Sequence, residues 1–308
     1  MNGPLLHVLG AILGILVVAS AVGFVLARRA TDPAQIATIR NLNARTRSWW
    51  VMVFVIGGAI WLGEVATILL FGWLSFMALR EFWTLTPSHR GDHRALFASF
   101  FVVLPAQYAL LLDHWYGLGS IFIPVYAFLI LPAIATLAGD AKDFLARSAK
   151  VQWGLMLTVY CVSYAPALLL LSPEVDGAML LIYLIVVVQL SDVFQYVWGK
   201  LIGKRRFAPG ISPSKTLEGL VGGWLSAIAV GMLLHGITPF NLWQAGLVSA
   251  VIVVAGFFGG FVLSAIKRDL GAKDWGYVIE GHGGVLDRID SLTFAAPLFF
   301  HIVRYFWT

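Results

Sequence analysis

The sequence predicts an all-α, polytopic integral membrane protein of about ten transmembrane helices, with its chemistry in loops on one side. Three observations carry this. Apolar runs near twenty residues recur along the 308-residue chain, each long enough for a helix to cross the hydrocarbon core of a bilayer. Charged residues make up 12% of the chain and hydrophobic ones 59%, about half the charge of an ordinary soluble protein. The basic residues fall in alternate loops between the runs, as they do where positive charge fixes membrane orientation.

The first run, 5–27, has no basic segment ahead of it and is followed by Arg28 and Arg29, so it reads as a retained helix and not a cleaved signal. Trp49 to Arg80 is too long for one crossing. It divides into spans 50–63 and 65–80, with Gly63-Glu64 as the tight turn. Spans 95–112, 118–138 and 151–171 contain Pro105, Pro124, Pro132 and Pro166, kinks that helix packing tolerates in a membrane. Spans 177–198, 217–235, 242–265 and 291–307 complete the set. With Arg28 and Arg29 in the cytoplasm, alternation places 20 of the 21 Lys and Arg on that side and leaves only Arg304, in the last helix. Both termini then lie outside. The expected organisation is a transmembrane scaffold over 1–176 and a region carrying the motifs over 177–308, with no separate soluble domain.

Composition excludes some functions. The pI near 9.4 and net charge of +5 do not indicate nucleic acid, because the basic residues are spread over many loops. Cys161 is the one cysteine and sits inside an apolar run, so it supports neither an intrachain disulfide nor a cysteine metal site and reads as a buried thiol.

Three constellations offer chemistry. In span 177–198, Gln189, Asp192 and Tyr196 fall at i, i+3 and i+7, on one helix face. A carboxylate inside a span is costly unless paired, solvated or metal-bound, so Asp192 is a functional candidate, with an interhelical hydrogen bond as the plainer reading. Next comes a basic loop, Lys200, Lys204, Arg205 and Arg206, which membrane orientation alone explains, followed by Ser212-Pro213-Ser214-Lys215-Thr216 and then Glu218-Gly219. Hydroxyls, free N–H groups and a cation at a helix start suit a phosphate, although no P-loop is present. The third is Gly259 to Ser291. It holds Lys267, Arg268, Lys273 and Arg288 among Asp269, Asp274, Asp287 and Asp290, with His282, Gly283 and Gly284 between them. Asp287 and Asp290, at i and i+3, share a face where two carboxylates suit Mg²⁺, and the glycines let backbone amides approach an anion. Gly219-x-x-x-Gly223 and Gly256-x-x-x-Gly260 read as helix-packing faces. The chemistry on offer is that of phosphate groups and a metal.

At these residues the chain resembles the CTP:phosphatidate cytidylyltransferase (CDP-diacylglycerol synthase) family. Ser264, Lys267, Arg268, Lys273, Asp274, His282, Gly283, Gly284, Asp287, Arg288 and Asp290 match its signature, and 211–219 its Ser-Pro-x-Lys-Thr-x-Glu-Gly loop. Asp192 and the stretch Leu79-Arg80-Glu81-Phe82 also look like family positions. Gly260 and Leu263 depart from it, since many bacterial members carry acids there. Eukaryotic members read Gly-Gly-Phe, as Gly259-Gly260-Phe261 does, and the metal count stays open. The resemblance implies cytidylyl transfer from CTP to phosphatidate within the membrane, in phospholipid biosynthesis. Mg²⁺ would be held by Asp287 with Asp192 or Asp290, a second cation such as K⁺ being compatible. Lys267, Arg268, Lys273 and Arg288 would clamp phosphates. Ser212, Lys215, Thr216, Glu218, Ser264, His282, Gly283 and Gly284 would contact substrate, Glu280 would be a substitute ligand, and the lipid tails would enter sideways between helices. It also implies a cell inner membrane location with the site facing the cytoplasm, a homodimer as an assembly, and no nucleic-acid partner. The rivals are an enzyme acting on another lipid phosphate, a paralogue without catalysis, and a transporter. The last is disfavoured because no pair of broken helices occurs in matching halves.

Overall fold

The computed structural model describes residues 3–29, 32–277 and 283–308, and among them ten helices and one small hairpin make up the architecture. The helices are α1 (Gly3–Arg29), α2 (Pro33–Leu62), α3 (Glu64–Leu85), α4 (Arg90–Leu112), α5 (Tyr116–Thr136), α6 (Phe144–Leu170), α7 (Gly177–Leu201), α8 (Leu217–Ile237), α9 (Leu242–Asp269) and α10 (Leu286–Trp307). Between α7 and α8, β1 (Arg206–Ala208) pairs antiparallel with β2 (Ser212–Thr216), Arg206 opposite Thr216 and Ala208 opposite Ser212, with a bulge between. Eight helices are long and apolar enough to cross a membrane. The other two have apolar bodies, with charge toward one end of α2 and at both ends of α10. The chain is an all-α polytopic membrane protein.

The break between α2 and α3 falls at the expected position. Gly63 has φ +102°, a conformation open mainly to glycine. Its N–H closes α2 on the carbonyls of Ala59 and Ile60, and its carbonyl accepts the Thr67 N–H to start α3. The start of α2 differs from the expected residue 50. Asp32 caps the helix by accepting the Gln35 N–H, and Pro33 occupies the first helical position, where a missing N–H costs nothing. At thirty residues α2 is about 45 Å long, so its polar first half projects beyond a hydrocarbon core of about 30 Å.

Prolines leave local marks. A π-helical segment at Ser99–Val103 precedes Pro105, and another at Phe122–Ala127 contains Pro124. Each proline lacks an N–H and crowds the carbonyl one turn back, and the wider turn relieves both problems.

The core lies around α10, which is flanked by α3, α6, α7 and α9 and buries Ala295, Ala296, Phe299 and Phe300 almost completely. The Tyr183 hydroxyl of α7 donates to the Ala245 carbonyl and lies 2.6 Å from the Ser249 hydroxyl, both on α9. Glycines set the close approaches. A Cβ on Gly219 or Gly223 of α8 would lie under 3 Å from the backbone of α7 near Gln195, and one on Gly256 of α9 would lie 3.3 Å from the Ser291 carbonyl. Both small-residue faces are therefore packing seams, as their spacing anticipates. The ends of α3, α7 and α9 and the starts of α8 and α10 meet at one end of the bundle. Arg304, the one basic residue left out of the charged side, lies at the other end with its guanidinium 3.6 Å from the centre of the Tyr116 ring.

Candidate active site

The described ends of the α9–α10 connection meet at one carboxylate. Lys267, in the last turn of α9, is buried, and its Nζ donates to Asp287 Oδ1 at 2.5 Å. Neither charge would be tolerable there alone, and each removes the other's need for water. Asp287 Oδ2 accepts the backbone N–H groups of Trp275 (2.8 Å) and Gly284 (2.9 Å). Gly283 has φ +82°, and a Cβ on it would sit 2.7 Å from the same oxygen. Asp287 therefore has both oxygens occupied and serves as the hub of the loop.

A second carboxylate arrives from far away in the chain. Glu81, at the end of α3, is buried and accepts the N–H groups of Val285 and Leu286, both at 2.8 Å. It thereby caps α10 from outside that helix, since the first N–H groups of a helix have no internal partner. Gly276 and Gly284 leave room for it, because a Cβ on either would come within 3 Å of its oxygens. Next to it Phe82 stacks on the buried Trp275, centroids 5.4 Å apart.

A second acidic group lies one turn further along α10. The Ser291 hydroxyl donates to Asp192 Oδ2 at 2.8 Å and lies 3.4 Å from Asp290 Oδ1, which also accepts the Ser291 N–H at 2.7 Å. Asp192 and Asp290 thus face a shared space, with Lys215 and Arg288 near enough to act on both electrostatically. Gly260 borders that space, since a Cβ there would be 3.3 Å from the Ser291 hydroxyl and 3.5 Å from Asp290 Oδ2. Gln189, on the same face of α7, donates to the Arg288 carbonyl at 3.1 Å. Tyr196 lies outside this group, exposed, with Lys200 over its ring.

The hairpin closes the other side. Thr216 caps α8 by accepting the Gly219 N–H. Glu218 Oε2 accepts the N–H groups of Lys204 and Arg205, and its Oε1 accepts from the Arg205 side chain, so it ties the start of the hairpin to α8. Lys215 Nζ lies 4.6 Å from the centre of the Phe257 ring on α9. Arg268 donates to the carbonyls of Ile211 and Ala272, joining the hairpin to the end of α9. Ser212 lies in β2, Ser264 one turn before Lys267, and Lys273 is exposed beyond α9. His282 and Glu280 lie outside the described residues.

The structure therefore brings together Asp192, Lys215, Lys267, Asp287, Arg288 and Asp290, which the sequence singles out from separate segments. It adds Trp275 and Ser291, and gives partners to Glu81, which the resemblance marks only as part of a family-like stretch. Glu81 is legible in part, because an acid near the end of an apolar span needs a partner. Its partners lie more than two hundred residues away, and spacing cannot show them. Among the described residues no three acidic, histidine or cysteine side chains form a metal cluster. The Asp192–Asp290 pair nevertheless suits Mg²⁺, which takes one or two carboxylates and leaves its other positions to water and phosphate.

Against known proteins, the model for the cytidylyltransferase family matches residues 43–306. The chain is 40% identical over 273 residues to the uncharacterized protein YnbB of Escherichia coli (strain K12), covering 86% of this chain and 88% of that protein. It is 41% identical over 125 residues to the phosphatidate cytidylyltransferase of Staphylococcus haemolyticus (strain JCSC1435) and 38% identical over 125 residues to that of Staphylococcus aureus (strain COL). Each of these matches covers 40% of this chain and 48% of the staphylococcal enzyme.

Proposed function

The chain belongs to the cytidylyltransferase family, and we propose that it transfers the cytidylyl group of CTP to phosphatidate, giving CDP-diacylglycerol and pyrophosphate. The observation that carries this reading is the meeting of an Asp192–Asp290 pair with Lys215, Lys267 and Arg288 at one end of a bundle of apolar helices. That arrangement suits a reaction between two phosphate compounds, one of which is itself a membrane component.

In this reading a phosphate oxygen of phosphatidate attacks the α-phosphorus of CTP. The bond from that phosphorus to the β-bridging oxygen breaks, and its electron pair leaves with pyrophosphate. The attacking oxygen is already anionic, so no side chain needs to remove a proton, and the protein's contribution is alignment and charge neutralisation. Asp192 and Asp290 would hold Mg²⁺, which when bound offsets negative charge on the triphosphate. Asp287 plays a different part, holding Lys267 and the backbone at Trp275 and Gly284 so that the ammonium faces the phosphates in a fixed place. Lys215 and Arg288 complete the positive wall around the acidic pair. Arg268 and Glu218 act through the hairpin, keeping Ser212, Lys215 and Thr216 at the site. Lys273, Ser264, Gly283 and Gly284 remain proposed substrate contacts. The charged end faces the cytoplasm of a cell inner membrane, where CTP is available.

The test is turnover by detergent-purified protein given CTP labelled at the α-phosphate, phosphatidate and Mg²⁺. Labelled CDP-diacylglycerol with equimolar pyrophosphate is expected, and a panel of other lipid phosphates and nucleoside triphosphates defines the acceptor and donor. Absence of pyrophosphate with every acceptor overturns the enzyme reading. Product from another lipid phosphate in preference to phosphatidate moves the activity within the family.

A further inference from the structure

A cavity of about 290 Å³ lies between α1, α2, α3, α7 and α10. Leu9 and Ile12 of α1, Ile56 of α2, Leu74 of α3 and Ile185 of α7 are among its apolar walls, and Gln189 and Arg288 stand at its polar end. Arg288 is half-buried there, and among the described residues its Nε has no hydrogen-bond acceptor. An unpaired guanidinium N–H in a low-dielectric wall is costly, and an anionic oxygen is the partner that best relieves it. Arg288 also acts on Asp192 and Asp290, so the polar end of the groove is one wall of the acidic site. A nucleotide has no use for a long apolar wall, whereas a lipid phosphate presents an anion and a hydrocarbon chain joined in that order.

We propose that this groove is the acyl-chain site of the acceptor lipid, with the lipid phosphate at Arg288, and that α1 is the wall by which this chain selects its acceptor. The proposal rests on the cytidylyltransferase reading for the identity of the lipid. Two observations single out α1. It lies outside the family match at 43–306. Most of its residues over 8–29 are exposed or half-buried, so it contributes little to the core, and Leu9 is the side chain nearest to Gly57 of α2, beside the groove.

The experiment uses phosphatidate carrying a diazirine in mid-chain, irradiated with the full-length protein in detergent, with labelled residues mapped by mass spectrometry. Label should appear on groove residues of α1, α2 and α7 and fall when unlabelled phosphatidate competes. Leu9→Trp and Ile185→Trp should each remove most of it. Val18→Trp, on the exposed face of α1, should not. In turnover assays the two filling variants should raise KM for long-chain phosphatidate about tenfold while leaving KM for CTP and for water-soluble dihexanoyl phosphatidate unchanged, the pattern of lost ground-state binding. Equal loss with both lipids, or label spread over the outward faces of other helices and unaffected by Leu9→Trp, overturns the proposal. Groove labelling by phosphatidate in a protein that turns over no lipid upholds the groove and overturns the proposed reaction.

Discussion

At Asp287 the carboxylate is held by Lys267, Trp275 and Gly284, whereas at Asp192 and Asp290 the only close donors among the described residues are those of Ser291. The two groups therefore predict different kinetic signatures. Asp192→Asn or Asp290→Asn should raise the Mg²⁺ concentration needed for half-maximal activity by at least about tenfold, since each removes one of two anionic ligands. Asp287→Asn should lower kcat with the Mg²⁺ requirement unchanged, because it releases Lys267. A Mg²⁺ titration of the three variants decides the matter, and a shifted requirement only in Asp287→Asn would return Asp287 to the metal set. Glu81 is further from this chemistry yet fixes its frame. Glu81→Ala leaves the Val285 and Leu286 N–H groups unpaired in a buried setting, at about 1–3 kcal/mol for each. Glu81→Gln keeps one acceptor oxygen. The expected order of thermal midpoints in detergent is wild type, then Gln, then Ala, and an Ala variant as stable as wild type would mean that Glu81 does not hold α10.

Elements are legible in the sequence to different depths, and the reasons are physical. Apolar length and the Gly63 turn identify most helices because a membrane demands both. The first half of α2 escapes a hydropathy reading because Arg40 to Ser48 carries no apolar signal, although Asp32-Pro33 is a helix-start pair. The hairpin escapes it because a three-residue strand shows no period, and its hold on α8 depends on Glu218 reaching back to residues 204 and 205. Within the site, Asp192 and the α10 acids are visible as charges in apolar surroundings. Their division into a lysine-bound hub and an open pair is not, because it depends on which α9 and α3 side chains reach α10. The hairpin also carries its own prediction. Glu218→Ala should free the segment around Lys204, Arg205 and Arg206, so limited trypsin treatment should cut there faster than in wild type. An unchanged cleavage rate would show that Glu218 is not what holds it.

For the whole molecule, charge and packing agree on which ends of the helices belong together. Loops rich in Lys and Arg meet at the end that holds Asp192, Asp287 and Asp290. The connections near Glu174 and Ile237 are free of Lys and Arg, and the Arg304–Tyr116 contact also belongs to their end. Positive charge is retained on the cytoplasmic side of a membrane, so the site should face the nucleotide pool. Single cysteines introduced into a Cys161→Ser background test this directly. In intact cells, Glu174→Cys and Thr238→Cys should react with a membrane-impermeant maleimide. Lys142→Cys and Lys204→Cys should react only in inverted vesicles. The reverse pattern would place the charged end away from CTP and sink the proposed reaction whatever the local geometry. Mixed labelling within one end would instead mean that a helix fails to cross. The test bears hardest on α2 and α10, because their charge leaves them less uniformly apolar than the other eight. If α10 did not span, the seam with α9 that carries Asp287, Asp290 and Ser291 could not lie at the depth of Asp192, a residue well inside α7. The Ser291–Asp192 bond therefore makes the crossing of α10 a requirement of the site.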